Sequence, residues 1–452
     1  MLVRRWLGGS SGLKQWARIA LALIPGLAIR LALAPYTSGS DIPQFAAFAD
    51  SFLRHGLHFL EYSDASKAGL EGWPYPWPYV YGPLTIILLG LVRLAAHGRV
   101  LFWSDSQGYH VIAPVDWVVA LKLVYIGFDT AAAVLVYMLA RRRSPRYALP
   151  ALILYYYNPM TIYISSIYGM LDMIPLAFLL AGVYYWEARG SLNAAGLLWG
   201  LGAAVKPTIL LAALPYSLGE ARRHGLKALV PLAWSLAVPL LLLAPFVIAS
   251  PGSIPVYLHA IRMVGTPNYP SPIVYSFNGF SSIVYYAWEH GGADIYSYLH
   301  YWPIPFLLLY ALALATALRD PLLAGALGYT AFTASYWRVN HQYLVPTIAF
   351  LVLALPLLRD YCHRLLALSA WFLAGLWPLM YPVSWWAKVH MAHPNMLVIR
   401  FLDSFNMIVF DEVYYIIYGI LLVVAQACLI TCVGARVIGE VIELYPGRES
   451  RG

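Results

Sequence analysis

Long apolar runs broken by short polar or basic interruptions dominate the chain from residue 19 onward. Runs such as "IALALIPGLAIRLALAP" (19–35) and "YIIYGILLVVAQACLITCVGA" (415–435) approach or reach the roughly 20 apolar residues needed to cross a bilayer. Read together with the Gly and Pro breakers, the pattern predicts spans near 19–36, 79–98, 114–140, 147–168, 171–187, 194–217, 227–249, 303–318, 321–338, 341–358, 364–381 and 412–433. The expected fold class is therefore an all-α polytopic membrane protein with about 12 transmembrane helices. No secretory cleavage site follows the first run, which reads as a retained span. Three polar segments, 37–78, 250–302 and 382–411, fall between spans, and ordered loops of that length are more often functional than idle.

Charge supplies orientation. Arg4, Arg5, Lys14 and Arg18 precede the first span, placing the N-terminus in the cytoplasm. Alternation then puts 221–227, 319–320, 359–364 and the C-terminal tail on the same side, as the positive-inside rule asks. It also puts "RRRSPR" (141–146) outside, against that rule. The chain of 452 residues is 61% hydrophobic and only 11% charged, far below the roughly 25% of soluble domains. The net charge of +8 thus reads as topology, with no soluble basic surface for nucleic acid. Cys362, Cys428 and Cys432 lie in or beside spans, giving neither a disulfide framework nor a metal-type pair.

The first outer segment carries the clearest candidate chemistry. After Asp41, the apolar residues Ile42, Phe45, Ala46, Ala49, Phe52 and Leu53 recur at helical spacing against Gln44, Asp50, Ser51 and Arg54. This predicts a short helix lying in the membrane interface. Asp41 stands where a side chain can cap that helix, with Gln44 returning the bond. It also stands where a carboxylate can serve as a general base. The roles are compatible, because a carboxylate has two oxygens. Asp50 and Asp64 are rivals, with Asp50 on the solvated face. Lys122 and Asp129 lie two turns apart on one helix face, where bundle-holding hydrogen bonds are expected.

An arginine near the end of the first span (Arg30), Asp41 after it, an interfacial helix and "WPYVYGPLT" (77–85) together resemble the multi-pass glycosyltransferases of the GT-C superfamily. "NPMTIYISSIYGMLDMIPLAFLLAG" (158–182), "AAGLLWGLGAAVKPTILLAALPY" (194–216) and "NHQYLVP" (340–346) resemble its successive blocks, in order, over roughly 19–346. The W-P-x-x-Y-x-P-L-T segment is similar to a motif of dolichol-linked glucosyltransferases, with Gly82 in place of its first proline. "NHQYLVP" looks closer to the GPI and bacterial polyprenyl mannosyltransferase branches. A large soluble C-terminal domain, as in oligosaccharyltransferase catalytic subunits, is not evident. The resemblance implies a catalytic module over 1–346, including outer loops 37–78 and 250–302, followed by C-terminal transmembrane helices over 347–452.

In activity, the resemblance implies transfer of a hexose, with mannose ahead of glucose, from a polyprenyl or dolichyl phosphate. The acceptor would be a hydroxyl of a lipid-linked or glycolipid molecule at the outer face of the cell membrane, and the transfer would invert the sugar. Asp41 would be the base. Arg338, His341, Arg30, His259, Arg262 and Lys206 are candidates to hold the donor phosphate. For the arginines, snorkelling from a helix end is the alternative; for His259 and Arg262, an ordinary solvated face. Lys206, just before Pro207, could instead satisfy carbonyls freed at a helix break. Trp77, Tyr79, Tyr81, Asn340, Gln342 and Tyr343 are the substrate-contact candidates, although Trp and Tyr also form interfacial belts.

The first outer loop holds no D-x-D or clustered carboxylates, so no cofactor is expected and a divalent metal is not favoured. The absence of G-x-G-x-x-G and P-loop segments points to a lipid-linked donor over a soluble nucleotide sugar. The competing class is a polytopic transporter or lipid flippase, but Lys122, Asp129, Asp172 and Lys206 crowd one half without a matching set in the other. A non-catalytic scaffold subunit would share the same blocks.

Overall fold

The protein is described by a computed structural model covering residues 10–444, apart from 68, 76, 107, 268–278, 293, 381–382, 384–394 and 405–411. Most of the third expected outer segment therefore lies outside the described residues. The elements in chain order are α1 (Ser10–Leu33), α2 (Asp41–His55), α3 (Pro83–Arg93), a hairpin of β1 (Leu101–Asp105) and β2 (Gly108–Ile112), α4 (Val115–Arg143), α5 (Ala148–Tyr156) and α6 (Pro159–Ile162). There follow α7 (Met173–Arg189), α8 (Leu192–Val205), α9 (Leu210–His224), α10 (Val230–Ala249), α11 (Ser253–Gly265), α12 (Phe280–Gly291) and α13 (Ile295–Leu299). Last come α14 (Pro303–Ala315), α15 (Pro321–Ser335), α16 (Leu344–Ala354), α17 (Tyr361–Leu376), α18 (Met396–Ser404) and α19 (Glu412–Leu444). The antiparallel hairpin, with Leu101 opposite Ile112, is the one sheet among the described residues and was not expected from the sequence.

Among the described residues, five stretches are long and apolar enough to cross a membrane: Gln15–Tyr36, Val115–Arg143, Pro207–Ala249, Ser297–Leu318 and Tyr415–Glu443. Two expected spans are corrected. The first, 79–98, yields only the 11-residue α3, about 16 Å long at ~1.5 Å per residue against a hydrocarbon core of ~30 Å. Instead of crossing, α3 runs along α2 in the same direction. Tyr81 just before it meets Phe45 edge-on at 5.3 Å, and Arg93 at its end pairs with Asp50 at 2.6 Å. Between these points Gly90 lets α2 come close, since a Cβ there would sit 2.7 Å from the Phe52 ring. Part of the apolar surface of α3 packs against α2 while Leu91 stays exposed, and Asp50, on the partly solvated face, is the ion-pair partner of Arg93.

The second correction concerns 194–217, which is two segments. Lys206 precedes a proline, which disfavours helical backbone, and it adopts φ −152°, ψ 117°. The chain turns back there: Trp199 of α8 packs against Tyr216 of α9 at 5.9 Å, and Trp186 of α7 packs against both. α8, like α3, is a short apolar helix. The position of "RRRSPR" also changes. The Gln15 amide near the start of α1 donates to Tyr137 Oη near the end of α4 at 2.7 Å. Arg143 then pairs with Glu187 at the end of α7 at 2.5 Å. Residues 141–146 thus sit at the end of the bundle where α1 begins, and the conflict with the positive-inside rule disappears.

Two buried cations hold the first helices. Arg30, fully buried, pairs with Asp129 at 2.7 Å, donates to Ser165, Thr161 and the Gly26 and Tyr156 carbonyls, and lies 3.8 Å over the Tyr156 ring. Lys122 donates to the Ala34, Thr37 and Ile167 carbonyls and the Thr37 hydroxyl. These are the bundle-holding bonds expected of Lys122 and Asp129, although the two residues pair with other groups and not with each other.

Candidate active site

Asp41 is positioned by two irregular segments that lock together. After α6 the chain makes one turn of π-helix, Tyr163–Tyr168, and leaves it through Gly169 at φ +85°. Such turns recur at functional sites. Across from it, residues 37–40 link α1 to α2; Gly39 donates its N–H to the Tyr168 carbonyl at 2.7 Å. A Cβ on Gly39 would lie 2.6 Å from the Tyr168 ring, so a glycine is needed for this approach. The Tyr168 hydroxyl is thereby delivered to Asp41 Oδ2, donating at 2.6 Å, and lies 2.8 Å from Ser40 Oγ.

The expected capping box does not form. Asp41 is the first helical residue, and Ser40 before it makes no side-chain cap bond. Gln44 points elsewhere: its carbonyl oxygen accepts from the Tyr75 N–H at 3.0 Å and its amide donates to the Trp77 carbonyl at 3.5 Å. Asp41 lies inside the first turn and not before it, so its carboxylate is not at the capping position, and its Oδ2 accepts from Tyr168 instead. Asp41 is half-buried. Burial pushes its carboxyl above the usual range, opposed by the Tyr168 hydrogen bond and by the charges of Arg338 and Lys206, and reinforced by Asp172.

The same charges define the walls. At the α8–α9 break, the Val205 carbonyl has lost its helical donor; the Gly82 N–H at 3.0 Å and Thr85 Oγ1 at 3.1 Å replace it. This explains Gly82: a Cβ would sit 2.1 Å from the Ala204 oxygen, and a proline would also remove the donor. Because Gly82 and Thr85 satisfy the break, Lys206 does not do so. Its ammonium reaches Asp172 Oδ1 at 2.7 Å and lies 3.9 Å from the Tyr343 ring. Asp172 Oδ2 is buried without a hydrogen-bond partner. Opposite, the Arg338 guanidinium sits 5.7 Å over the Trp77 ring, joining the first outer segment to the 336–340 turn. His341 is wedged between Tyr168 and Trp377, each at 4.4 Å between ring centroids, and neither ring nitrogen has a hydrogen-bond partner.

Of the residues predicted from sequence, Asp41, Arg338, Lys206, His341, Tyr81, Tyr343 and Trp77 are brought together by these contacts and by the fields that Asp41 and its neighbours exert on one another. Asn340 and Gln342 flank His341 in the chain, each with a buried amide oxygen lacking a partner. Four candidates are not part of the cluster. Arg30 is consumed by its pair with Asp129, and His259 and Arg262 are exposed on α11. Tyr79 is fully buried, its hydroxyl donating to the Gly82 carbonyl at 2.7 Å. Tyr168 was missed; its only signal was the following Gly169, which frees the backbone to turn. Among the described residues no three His, Cys, Asp or Glu side chains converge as metal ligands would.

No protein-family model matches the chain, and no curated protein matches it. Among solved structures it is similar to one described as ArnT from Cupriavidus metallidurans bound to undecaprenyl phosphate. That likeness has a TM-score of 0.45 at 14% identity, covering 96% of this chain and 79% of the other.

Proposed function

We propose that this chain is a membrane glycosyltransferase of the GT-C type. It would move a hexose, mannose in the first instance, from a polyprenyl or dolichyl phosphate to a hydroxyl of a lipid-linked or glycolipid acceptor at the outer membrane face. The observation that carries the reading is a half-buried carboxylate, Asp41, with one oxygen fixed by Tyr168 and with two cations, Arg338 and Lys206, in its field. In the proposed step the acceptor oxygen attacks the anomeric carbon while Asp41 takes its proton. The bond from that carbon to the phosphate oxygen breaks on the opposite face, inverting the centre. The released phosphate charge is stabilised by Arg338 and Lys206, whose placement needs no reorganisation. Lys206 also neutralises Asp172, which would otherwise repel the phosphate. Within this reading Trp77, Tyr81 and Tyr343 are the aromatic walls available to a sugar ring, and no step is assigned to a metal ion.

The test is transfer of radiolabelled mannose from a short polyprenyl-phosphate mannose to membrane glycolipid by purified protein in liposomes, wild type against Asp41→Asn. The amide keeps the acceptor for Tyr168 but cannot take a proton. Loss of transfer by ~10²-fold or more, the usual size of general-base effects, with unchanged thermal stability, supports the reading. Equal transfer by both proteins refutes Asp41 as base, and no transfer by wild type with mannose or glucose donors refutes the enzyme class.

A further inference from the structure

Five arginines gather at the end of the bundle where α1 begins. The Tyr216 hydroxyl on α9 donates to Glu187, the partner of Arg143, and further along α9 Arg222 donates to the Leu318 carbonyl. Arg319, next in the chain, donates to the Leu357 carbonyl at 3.4 Å, and Arg364 on α17 to the Leu358 carbonyl at 2.7 Å. Arg436 on α19 pairs with Asp360, just before α17, and with Glu440 at 3.0 Å. Arg359 completes the group; it is exposed and makes no ion pair or hydrogen bond among the described residues.

The acids among these arginines are already engaged. Asp360 and Glu440 share Arg436, Asp360 also meets His363 at 3.2 Å, and Asp320 accepts from the Leu322 and Leu323 N–H groups as the cap of α15. Half-buried Arg319 feels the imbalance. Burial and the charges of Arg359 and Arg436 hold its pKa below the usual arginine range, against the opposing charges of Glu440 and Asp320. Beside the arginines the surface is apolar. On α17, Tyr361, Leu365, Leu368 and Phe372 recur at helical spacing, and all four are exposed. α19 runs alongside in the opposite direction, since Tyr418 donates to the Leu373 carbonyl at one end and Arg436 meets Asp360 at the other. It exposes Leu421, Val424, Cys428 and Cys432 on a stripe that leads to Arg436.

We propose that this end of the bundle binds an anionic phospholipid of the cytoplasmic leaflet, its phosphodiester among Arg319, Arg359 and Arg364 and its hydrocarbon along the exposed faces of α17 and α19. The basic residues themselves assign the leaflet, and basic pockets between spanning helices on that side take such head groups by charge. The anion neutralises like charges that otherwise act on one another. Of the available ligands, a zwitterionic lipid brings hydrocarbon without net charge, and a soluble phosphate brings charge without hydrocarbon. An anionic lipid uses both features. The site is independent of the glycosyltransferase reading.

The experiment is native mass spectrometry of the full chain in a non-ionic detergent, titrated with palmitoyl-oleoyl phosphatidylglycerol. Phosphatidylcholine with the same chains and inorganic phosphate are the comparators. The expected result is saturable binding of phosphatidylglycerol at least fivefold tighter than phosphatidylcholine. Arg359→Gln should weaken it about fivefold, the equivalent of ~1 kcal/mol per arginine beside an anionic lipid, and Arg319→Gln added to it should weaken it further. Because Arg359 bonds nothing, its replacement tests the site even if Arg319→Gln does not fold. Arg146→Gln with Arg189→Gln, exposed arginines at the same end, should leave the affinity within twofold. Equal affinity for the two lipids, or affinity unchanged by Arg359→Gln, would overturn the proposal. So would an equal loss in the Arg146 and Arg189 double variant, which would mean diffuse surface charge, or displacement of the lipid by inorganic phosphate, which would mean a soluble anion.

Discussion

Replacing Tyr168 by Phe removes one oxygen atom and leaves the ring that packs on Gly39 and His341. The lost bond is a 2.6 Å donation to a carboxylate, and bonds to charged groups contribute about 1.5–3 kcal/mol. That contribution belongs to the ionised form alone. Without it, Asp41, already raised by burial, rises further, so the base stays protonated to higher pH. Rate is lost as pH falls through the carboxyl pKa, so the acidic limb of the kcat/KM profile moves upward, by one pH unit for every ~1.4 kcal/mol. Below the limb the variant is slower by roughly 10- to 100-fold; well above it, the deficit shrinks to whatever orientation alone contributed. The assay is the mannose-transfer rate against pH in liposomes buffered identically on both faces. An acidic limb that stays in place, or moves to lower pH, would refute the role given to Tyr168, and a deficit uniform across pH would reassign it to packing.

Other consequences follow from the remaining contacts. Gly82→Pro, which restores the residue usual in the related motif, should lower stability by about 2–6 kcal/mol through crowding against Ala204 and loss of the Val205 bond; fluorescence-detected thermal unfolding in detergent should place Gly82→Ala between it and wild type. Arg30→Met leaves Asp129 buried without its cation and should cost about 3–5 kcal/mol, whereas Arg30→Met with Asp129→Leu should unfold at a higher temperature than the single variant. A cysteine at exposed Arg146, with the native cysteines replaced, should react with an impermeant thiol reagent from the same membrane face as a cysteine at Gln15; labelling from opposite faces would return α3 to the list of crossings.

Of the twelve expected spans, those at 19–36, 114–140, 227–249, 303–318 and 412–433 were legible because twenty-residue apolar runs leave few alternatives. The two errors share a cause: hydropathy reports how apolar a segment is, not what it packs against. The stretch 79–98 reads as a span because α3 is apolar both where it packs on α2 and where Leu91 is exposed, and α8–α9 reads as one span because the single charged residue at its break, Lys206, finds an acid within the protein. Asp41 was singled out by its place after the first span, but the partner that holds its carboxylate, Tyr168, is 127 residues away, which no local pattern encodes. Arg30 misled for the opposite reason, since an arginine near an outer helix end looks free until Asp129 is placed beside it.

The Val205 carbonyl also bears on how the molecule moves. Its donors come from Gly82 and Thr85, and the same outer segment is tied down by Tyr257 Oη donating to the Tyr81 carbonyl at 2.7 Å and by Ser250 Oγ donating to Glu61 at 2.5 Å. Swinging that segment open would strand a backbone oxygen in a dry interior, at a cost of about 1–3 kcal/mol for that group alone. The segment therefore behaves as a fixed jamb and not as a door: substrates must pass beside it, and the Gly82 amide should exchange its hydrogen as slowly as those in the middle of α8.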